Sequence, residues 1–280
     1  MSPWYYLIVL IEVPVLLLVA YVGGWWLYLA VAFATLMGMG ELYSALIVRG
    51  QRPEAGVGYL CALLLLMAAQ FGGHELWAEL VVLMAFVTAA APLAAQFGRT
   101  GEPGRIRDAA VTTLCALYVA LPMSFIFLLC TFDIPLAVTG ESEGQLKARL
   151  GALMLMMATV WISDTAAWGI GKLFGRSRMT PKLSPNKTWE GAAAGMVGGV
   201  LTAMAVGVGW VGLSAGHGLV LGLLLSAAAQ VGDLAESVIK RDLQMKDFGT
   251  LLGPHGGMLD TFDGLLFAAP VAWFYLSFFV

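Results

Sequence analysis

Long apolar runs separated by short polar segments dominate the hydropathy pattern of this chain. Several runs approach or exceed the roughly 20 residues that an α-helix needs to cross a bilayer. We therefore expect an all-α fold, a polytopic helical bundle in a membrane. The pattern predicts about nine spans, near residues 5–22, 25–47, 56–72, 77–95, 109–131, 150–171, 191–210, 217–239 and 261–279.

The composition agrees with this pattern and excludes most soluble folds. Apolar residues make up 60% of the 280 positions and charged residues only 12%, and the mean hydropathy is +0.84. Cys61, Cys115 and Cys130 lie in apolar runs without metal-site or disulfide spacing, so buried thiols are expected. The first apolar run lacks a basic leader and a cleavage site, which favours a retained span over a signal peptide.

The basic residues predict how the chain is oriented. All but two of the 15 Lys and Arg residues follow even-numbered predicted spans, whereas Lys147 and Arg149 lie on the opposite side. Because cytoplasmic loops carry an excess of Lys and Arg, the N-terminus is predicted to be cytoplasmic. We expect a multi-pass protein of the cell's inner (cytoplasmic) membrane, with its polar loops facing the cytoplasm.

Charged residues divide the predicted single membrane domain, residues 1–280, into two unlike parts. Residues 1–149 are interpreted as scaffold spans, with Glu12 and Glu41 as the main intramembrane charges. Residues 150–280 carry most of the remaining polar chemistry and are predicted to form the catalytic spans and loops. No internal repeat is evident, which argues against an inverted-repeat transporter.

Three glycines recur at every fourth position of the seventh predicted span: Gly191, Gly195 and Gly199. Such a stripe lets another helix backbone approach closely. It indicates tight packing within the bundle or, alternatively, a subunit interface in a possible homodimer.

One polar face runs along the eighth predicted helix towards the cytoplasm. Its members are spaced to share a single helical face, and they are Asp233, Glu236, Ser237, Lys240 and Arg241.

Further acids lie nearby in the sequence: Asp260 and Asp263 begin the last predicted helix, and Asp164 lies inside the sixth. Mutually neutralising interfacial charges are one explanation. However, a charge within the bilayer costs roughly 2.5–3.5 kcal/mol, so such residues usually mark functional sites.

The mixture of residue types indicates a reaction class. Carboxylates combined with substrate phosphates suit Mg²⁺, Lys and Arg suit phosphate oxygens, and glycines permit close backbone approach. The basic loop containing "SPNKTWEG" is either a second part of this site or an ordinary positive-inside loop. Together these features indicate metal-assisted phosphoryl or nucleotidyl transfer to a lipid.

Three motifs in the second half carry a family resemblance. They are "SDTAAWGIGKLFGR", "SPNKTWEG" and "QVGDLAESVIKRDLQMKDFGTLLGPHGGMLDTFD". Over about residues 150–270 the chain closely resembles the phosphatidate cytidylyltransferases, also called CDP-diacylglycerol synthases. The resemblance implies that CTP and phosphatidate give CDP-diacylglycerol and pyrophosphate with Mg²⁺ as cofactor, a step of phospholipid biosynthesis.

The resemblance also implies site residues. Asp233 and Asp260 are the leading metal ligands with Asp263 beside them, and His255 shapes its loop rather than acting as a base. The implied catalytic residues are Asp233, Asp260, Lys240 and Arg241. The implied substrate-binding residues are Lys187, Lys246, Ser237, His255, Gly256, Gly257, Asp164 and Glu190.

Two departures from the family pattern stand in the last motif: Thr261 replaces the usual Arg, and "GPH" inverts the usual order. Either a phosphate contact is lost, or the loop has repacked around threonine. The partners expected are CTP, phosphatidate and membrane lipid, and no nucleic acid. Two other functions stay open: a CTP-dependent transferase or kinase acting on another lipid phosphate or polyprenol, and a transporter of an anionic solute.

Overall fold

A computed structural model describes residues 14–15, 17–98, 104–131, 141–249 and 256–280. Within these ranges, only the backbone is described for residues 73–75, 77–78, 131 and 141–149. Its longer elements are helices: α1 Gly24–Val48, α2 Ala55–Phe71, α3 Gly73–Ala94, α4 Arg105–Thr131, α5 Glu141–Phe174, α6 Trp189–Ala203, α7 Ala215–Asp242 and α8 Met258–Phe279. A 3-10 turn, Ala95–Gly98, follows α3, and a π-helical segment, Met204–Val211, extends α6. The strands β1 Arg178–Thr180 and β2 Ser184–Thr188 form an antiparallel hairpin between α5 and α6.

Seven helical segments among the described residues are long and apolar enough to cross a membrane. They are Gly24–Val48, Glu79–Gly98, Arg105–Cys130, Leu150–Phe174, Trp189–Val211, Ala215–Asp242 and Met258–Phe279. The third predicted span appears as α2, an apolar helix of 17 residues, and most of the span predicted at 5–22 lies outside the described residues. The all-α polytopic membrane fold is confirmed, whereas the number of nine spans and the cytoplasmic N-terminus stay predictions.

Large apolar side chains cover the outside of these helices. Trp26, Phe33, Val82 and Phe86 are each more than half exposed, at 66%, 59%, 71% and 69%. In water such a surface would be unfavourable, but in a bilayer the lipid chains surround it. The same helices satisfy their backbone hydrogen bonds internally, as hydrocarbon surroundings require.

The chain forms two compact units. The first unit contains the residues up to Leu128 together with Leu243–Thr261, and the second contains Leu129–Asp242 together with Phe262–Val280. Leu243–Thr261, a large part of the last motif, thus belongs to the same unit as the first half of the chain, and the predicted division at residues 149 and 150 stays a prediction. A single membrane domain over 1–280 stays a prediction.

The core of the first unit is built from side chains of α1, α2 and α4. Met39, Leu66 and Phe127 are fully buried there, and the Tyr43 hydroxyl donates a hydrogen bond to the Thr112 carbonyl over 3.3 Å. This bond satisfies a polar group that would otherwise be costly inside an apolar core.

The glycine stripe on α6 packs inside the second unit. A Cβ atom on Gly191 would lie 2.6 Å from the Ala167 carbonyl oxygen, and one on Gly195 would lie 2.9 Å from the Ser163 carbonyl oxygen. Gly199 faces the Ser226 side chain of α7 with no room for a methyl group. The stripe therefore brings α5, α6 and α7 together within one chain, and the structure gives no support to the predicted homodimer.

Candidate active site

A cavity of about 590 Å³, lined by both charged and apolar side chains, opens in the second unit among α5, the hairpin, α6 and α7. It brings together three of the predicted site residues, Asp164, Lys187 and Asp233. The cavity is lined by Asp164, Ala167, Trp168, Gly171, Lys172, Gly175, Arg178, Met179, Asn186, Lys187, Thr188, Gly191, Ala192, Gln230 and Asp233.

The hairpin between α5 and α6 forms the polar wall of this cavity, and local hydrogen bonds hold it in place. Thr188 caps α6, its hydroxyl oxygen accepting the N–H of Gly191 over 3.1 Å, as expected of an N-cap threonine. The Glu190 carboxylate accepts the N–H groups of Arg176 and Ser177 at 3.1–3.2 Å. Glu190, predicted to bind substrate, thus anchors the entry to the hairpin in this structure.

Lys187 and Asp233 form an ion pair across the cavity, with 2.7 Å between Nζ and Oδ2. Their side chains are 22% and 41% exposed, but the Lys187 ammonium nitrogen itself is buried in the contact with Asp233. Lys172 and Arg178 also line the cavity, where they would meet an anionic ligand. Basic side chains of this kind bind phosphate oxygens.

A cluster of three carboxylates, the acidic cluster, adjoins the cavity at Asp233. Asp233, Glu236 and Asp263 each offer one oxygen, and these oxygens lie within 4.8 Å of one another. Helices α7 and α8 approach closely here because Gly232 has no side chain, and a Cβ on it would lie 2.6 Å from the Asp263 carbonyl oxygen. This crossing places Asp263 of α8 beside Asp233 and Glu236 of α7.

Glu236 is the fully buried member of the acidic cluster, and it forms an ion pair with Lys240 one turn later. Glu236 lies on the predicted polar face but is not among the predicted metal ligands, although its position three residues after Asp233 was the available signal. An all-oxygen set of carboxylates fits the ligand preference of Mg²⁺. The residues present therefore fit the cofactor that the sequence predicts.

Asp260 belongs to the first unit and has a different set of contacts. Its Oδ2 atom accepts the N–H of Phe248 over 2.9 Å and the N–H of Gly257 over 2.7 Å. The second bond is half of a capping box, in which the third residue of a helix reaches back to the N-cap. Asp260 thus holds Phe248 and Gly257, two residues of the last motif, at the start of α8. Its metal-binding role stays a prediction.

Comparison with known proteins agrees with this geometry and with the motifs. The model of the cytidylyltransferase family matches residues 5–279. This chain belongs to the cytidylyltransferase family. The resemblance found in the second half thus extends, at family level, over nearly all of the chain.

Three relatives of this family member are named phosphatidate cytidylyltransferase. The Mycobacterium bovis protein is 35% identical over 181 residues, which is 64% of this chain and 55% of that protein. The Mycobacterium leprae protein is 36% identical over 172 residues, 61% of this chain and 51% of that protein. The Brucella suis protein is 44% identical over 129 residues, 44% and 46% of the two chains. The chain spans about half the length of the curated relatives that it matches.

The other family-motif residues occupy varied environments. Arg241 donates from Nε to the Leu183 carbonyl over 3.0 Å and so ties the end of α7 to the hairpin. Ser237 is buried and Lys246 is exposed, while His255 lies outside the described residues. Gly256 has a φ of 84°, a conformation that favours glycine.

Thr261, the departure from the family pattern, is part of the first turn of α8. Its hydroxyl donates a hydrogen bond to the Gly257 carbonyl over 3.1 Å. The threonine is therefore bonded to the same loop end that Asp260 fastens. A bond to the fourth preceding carbonyl is one that threonine commonly makes in a helix, so the effect of replacing the family's arginine stays a prediction.

Proposed function

We propose that this protein transfers the cytidylyl group of CTP to phosphatidate, giving CDP-diacylglycerol and pyrophosphate in phospholipid biosynthesis. The observation that carries the proposal is the cavity in which the Lys187–Asp233 pair adjoins the acidic cluster. Membership of the cytidylyltransferase family and the names of the relatives support the same reaction.

Charge explains why basic residues are needed in this cavity. CTP and phosphatidate are both anions that repel each other, and Lys172, Arg178 and Lys187 line the space in which they would meet. Fixed positive groups reduce that repulsion and stabilise charge that develops in the transition state. The family motif assigns Lys187, Lys240, Arg241 and Lys246 to phosphate binding.

The acidic cluster would hold the magnesium ion. Asp233, Glu236 and Asp263 supply oxygens at suitable mutual distances, and the family motif adds Asp260 as a proposed ligand. When bound, Mg²⁺ would screen the phosphate charges and stabilise the pyrophosphate leaving group. If Asp233 held the cation, its ion pair with Lys187 would be broken, and the Lys187 ammonium group would be available to a phosphate.

The bond changes require little proton transfer from the protein. An oxygen of the lipid phosphate attacks the α-phosphorus of CTP in line, the new phosphoanhydride bond forms, and the bond to the β-phosphate oxygen breaks. The second pKa of a phosphate monoester is about 6, so its second proton is already largely lost at neutral pH. The side chains of the cavity therefore position and neutralise charge rather than remove a proton.

The location follows from the same proposal. A water-soluble nucleotide must meet a membrane-embedded lipid, so the site belongs at a membrane face, and CTP is a cytoplasmic nucleotide. We propose an active site facing the cytoplasm in the cell's inner membrane. The excess of basic residues on the predicted cytoplasmic side supports this orientation.

One assay tests the reaction and separates it from the alternatives. Purified protein is incubated with phosphatidate and with CTP labelled in the cytosine ring, in the presence and absence of Mg²⁺. The lipid products are then extracted and identified by mass spectrometry. We expect a Mg²⁺-dependent lipid of the mass of CDP-diacylglycerol, with one pyrophosphate released per product. A product formed only with another lipid phosphate or a polyprenol, or CTP binding without any product, would refute the proposal.

A further inference from the structure

Glu41 is an intramembrane carboxylate that the proposed reaction leaves without a role. It lies in α1, in the half of the chain predicted to be scaffold, and a charge within the bilayer is costly unless it is used. In the structure its two oxygens are both occupied. Oε1 accepts the N–H of Met258 and Oε2 accepts the N–H of Leu259, each over 2.9 Å.

These two N–H groups are the first of helix α8, which lack partners within the helix. The preceding residue, Gly257, has no side chain that could cap them, and a Cβ there would collide with the Glu41 carboxylate. A Cβ on Gly249 would also lie only 2.6 Å from Glu41 Oε1. From its position on α1, Glu41 therefore caps the N-terminus of α8, a role that an N-cap side chain of the same helix normally has. Its negative charge also suits a helix N-terminus.

Arg49, which directly follows α1, holds the other end of the same segment. Its guanidinium donates to the Leu243 carbonyl over 2.6 Å, to the Gln244 side-chain oxygen over 3.0 Å and to the Gln244 carbonyl over 3.1 Å. Gln244 has a φ of 51°, a conformation that is uncommon for a residue other than glycine. The Arg49 contacts stabilise this turn at the point where the chain leaves α7.

We propose that Glu41 and Arg49 are positioning residues that hold the two ends of the motif loop, described at residues 243–249 and 256–257, against α1. The two residues are eight positions apart, so along a helix they are separated by about 12 Å. One rigid helix thus sets the distance between the two ends of a loop that carries Lys246 and leads to Asp260. The first half of the chain then contributes directly to the geometry of the family motif.

This inference rests on the proposed function for its kinetic readout, but it has a structural readout of its own. Lys246 is exposed within the motif loop, and Lys182 is exposed in the hairpin of the second unit. Trypsin cleavage after Lys246, measured by mass spectrometry relative to cleavage after Lys182, reports how well the loop is held. The measurement requires no enzymatic activity.

We expect Glu41→Gln to raise this cleavage ratio roughly ten-fold, because a charged hydrogen-bond acceptor is replaced by a neutral amide that can accept at only one atom. Arg49→Lys should raise it similarly, because an ammonium group cannot reproduce the three contacts of the guanidinium fork. In the CTP assay both variants should raise KM more than they lower kcat. Glu41→Asp keeps the charge and should recover part of both effects.

The matched control is Glu79→Gln, an exposed glutamate of α3 in the same unit, which should leave the cleavage ratio and KM unchanged. An unchanged cleavage ratio in Glu41→Gln, or equal rises in cleavage after Lys246 and Lys182, would refute the positioning role of Glu41. If wild-type protein made no CDP-lipid, the proposed function would be refuted. The cleavage ratio would still show whether Glu41 and Arg49 hold the motif loop in place.

Discussion

At the scale of single residues, the acidic cluster separates side chains by what surrounds them. Glu236 is completely buried beside Lys240, whereas Asp233 is 41% exposed towards the cavity and pairs with Lys187. A buried carboxylate with a fixed partner is suited to holding a cation in place, and an accessible one is suited to meeting substrate. Asp233 and Glu236 thus have different environments although they lie one turn apart on α7.

Glu236→Gln tests the buried member of the cluster. Removing one partner of a buried ion pair leaves the other charge uncompensated, at a cost of about 3–5 kcal/mol. We expect a lower unfolding temperature and more than about a hundred-fold loss of Mg²⁺-dependent CDP-lipid formation. An unchanged Mg²⁺ requirement of the activity that remains in Glu236→Gln would show that Glu236 does not act on the metal.

Asp260 is tested by comparing two substitutions. Asp260→Asn retains an oxygen that can accept the N–H groups of Phe248 and Gly257, whereas Asp260→Ala removes it. If Asp260 binds metal as proposed, both variants should lose turnover, and only the alanine variant should show faster trypsin cleavage after Lys246. Asp233→Asn should resemble Asp260→Asn in the activity assay, and near-normal turnover in Asp260→Asn would refute its metal-binding role.

Thr261→Arg tests the departure from the family pattern. The Thr261 hydroxyl is bonded to the Gly257 carbonyl, and a guanidinium introduced between Asp260 and Asp263 would compete with a bound cation for their carboxylates. We expect kcat/KM for CTP to fall rather than rise. A gain of about ten-fold, the scale of a recovered charged hydrogen bond, would instead identify threonine as a lost phosphate contact.

At the scale of elements, helix packing in the second unit depends on glycines, which have no side chain to separate the helix backbones. Gly191, Gly195 and Gly199 bring α6 against α5 and α7, and Gly232 brings α7 against α8. Because lipid provides no hydrophobic driving force between helices, close backbone packing supplies much of the association energy in membranes. The positions of the cavity and of the acidic cluster follow from these contacts.

Gly199→Ala tests the packing of α6 against α7. A methyl group there has no room beside the Ser226 hydroxyl, and overpacking of this kind costs typically about 1–3 kcal/mol. We expect a lower unfolding temperature in detergent and reduced activity. The control is Gly169→Ala in α5, where an added Cβ meets nothing within 4 Å; equal stability of the two variants would contradict the packing argument.

At the scale of the whole molecule, the orientation predicted from the basic residues is open to direct measurement. Single cysteines at Lys182, Lys246 or Lys147 are introduced into a chain whose Cys61, Cys115 and Cys130, all buried, are replaced by alanine. A membrane-impermeant thiol reagent added to intact cells should label position 147 and not positions 182 or 246. The reverse pattern would invert the orientation and place the proposed site outside the cytoplasm.

The class of fold, most of the helices and the family could be predicted from the amino-acid sequence alone. Runs of hydrocarbon side chains long enough to span a bilayer leave the backbone no alternative to helix, since each N–H and C=O must be satisfied within its own segment. The order of three motifs was enough to indicate the family, because their charged residues are too costly in a membrane to recur by chance. Helical periodicity likewise placed Asp233 and Glu236 on one face of α7.

Only the tertiary structure decided which side chains meet. Periodicity assigns residues to faces of one helix, but it does not say which helix lies against that face, and this depends on where glycines allow two backbones to approach. Asp263 therefore joins Asp233 and Glu236 through the Gly232 contact. Glu41, more than 200 positions before α8, caps its first N–H groups. A hydrogen bond between such distant residues leaves no periodic trace in the sequence, because it is specified by the packing of the whole unit.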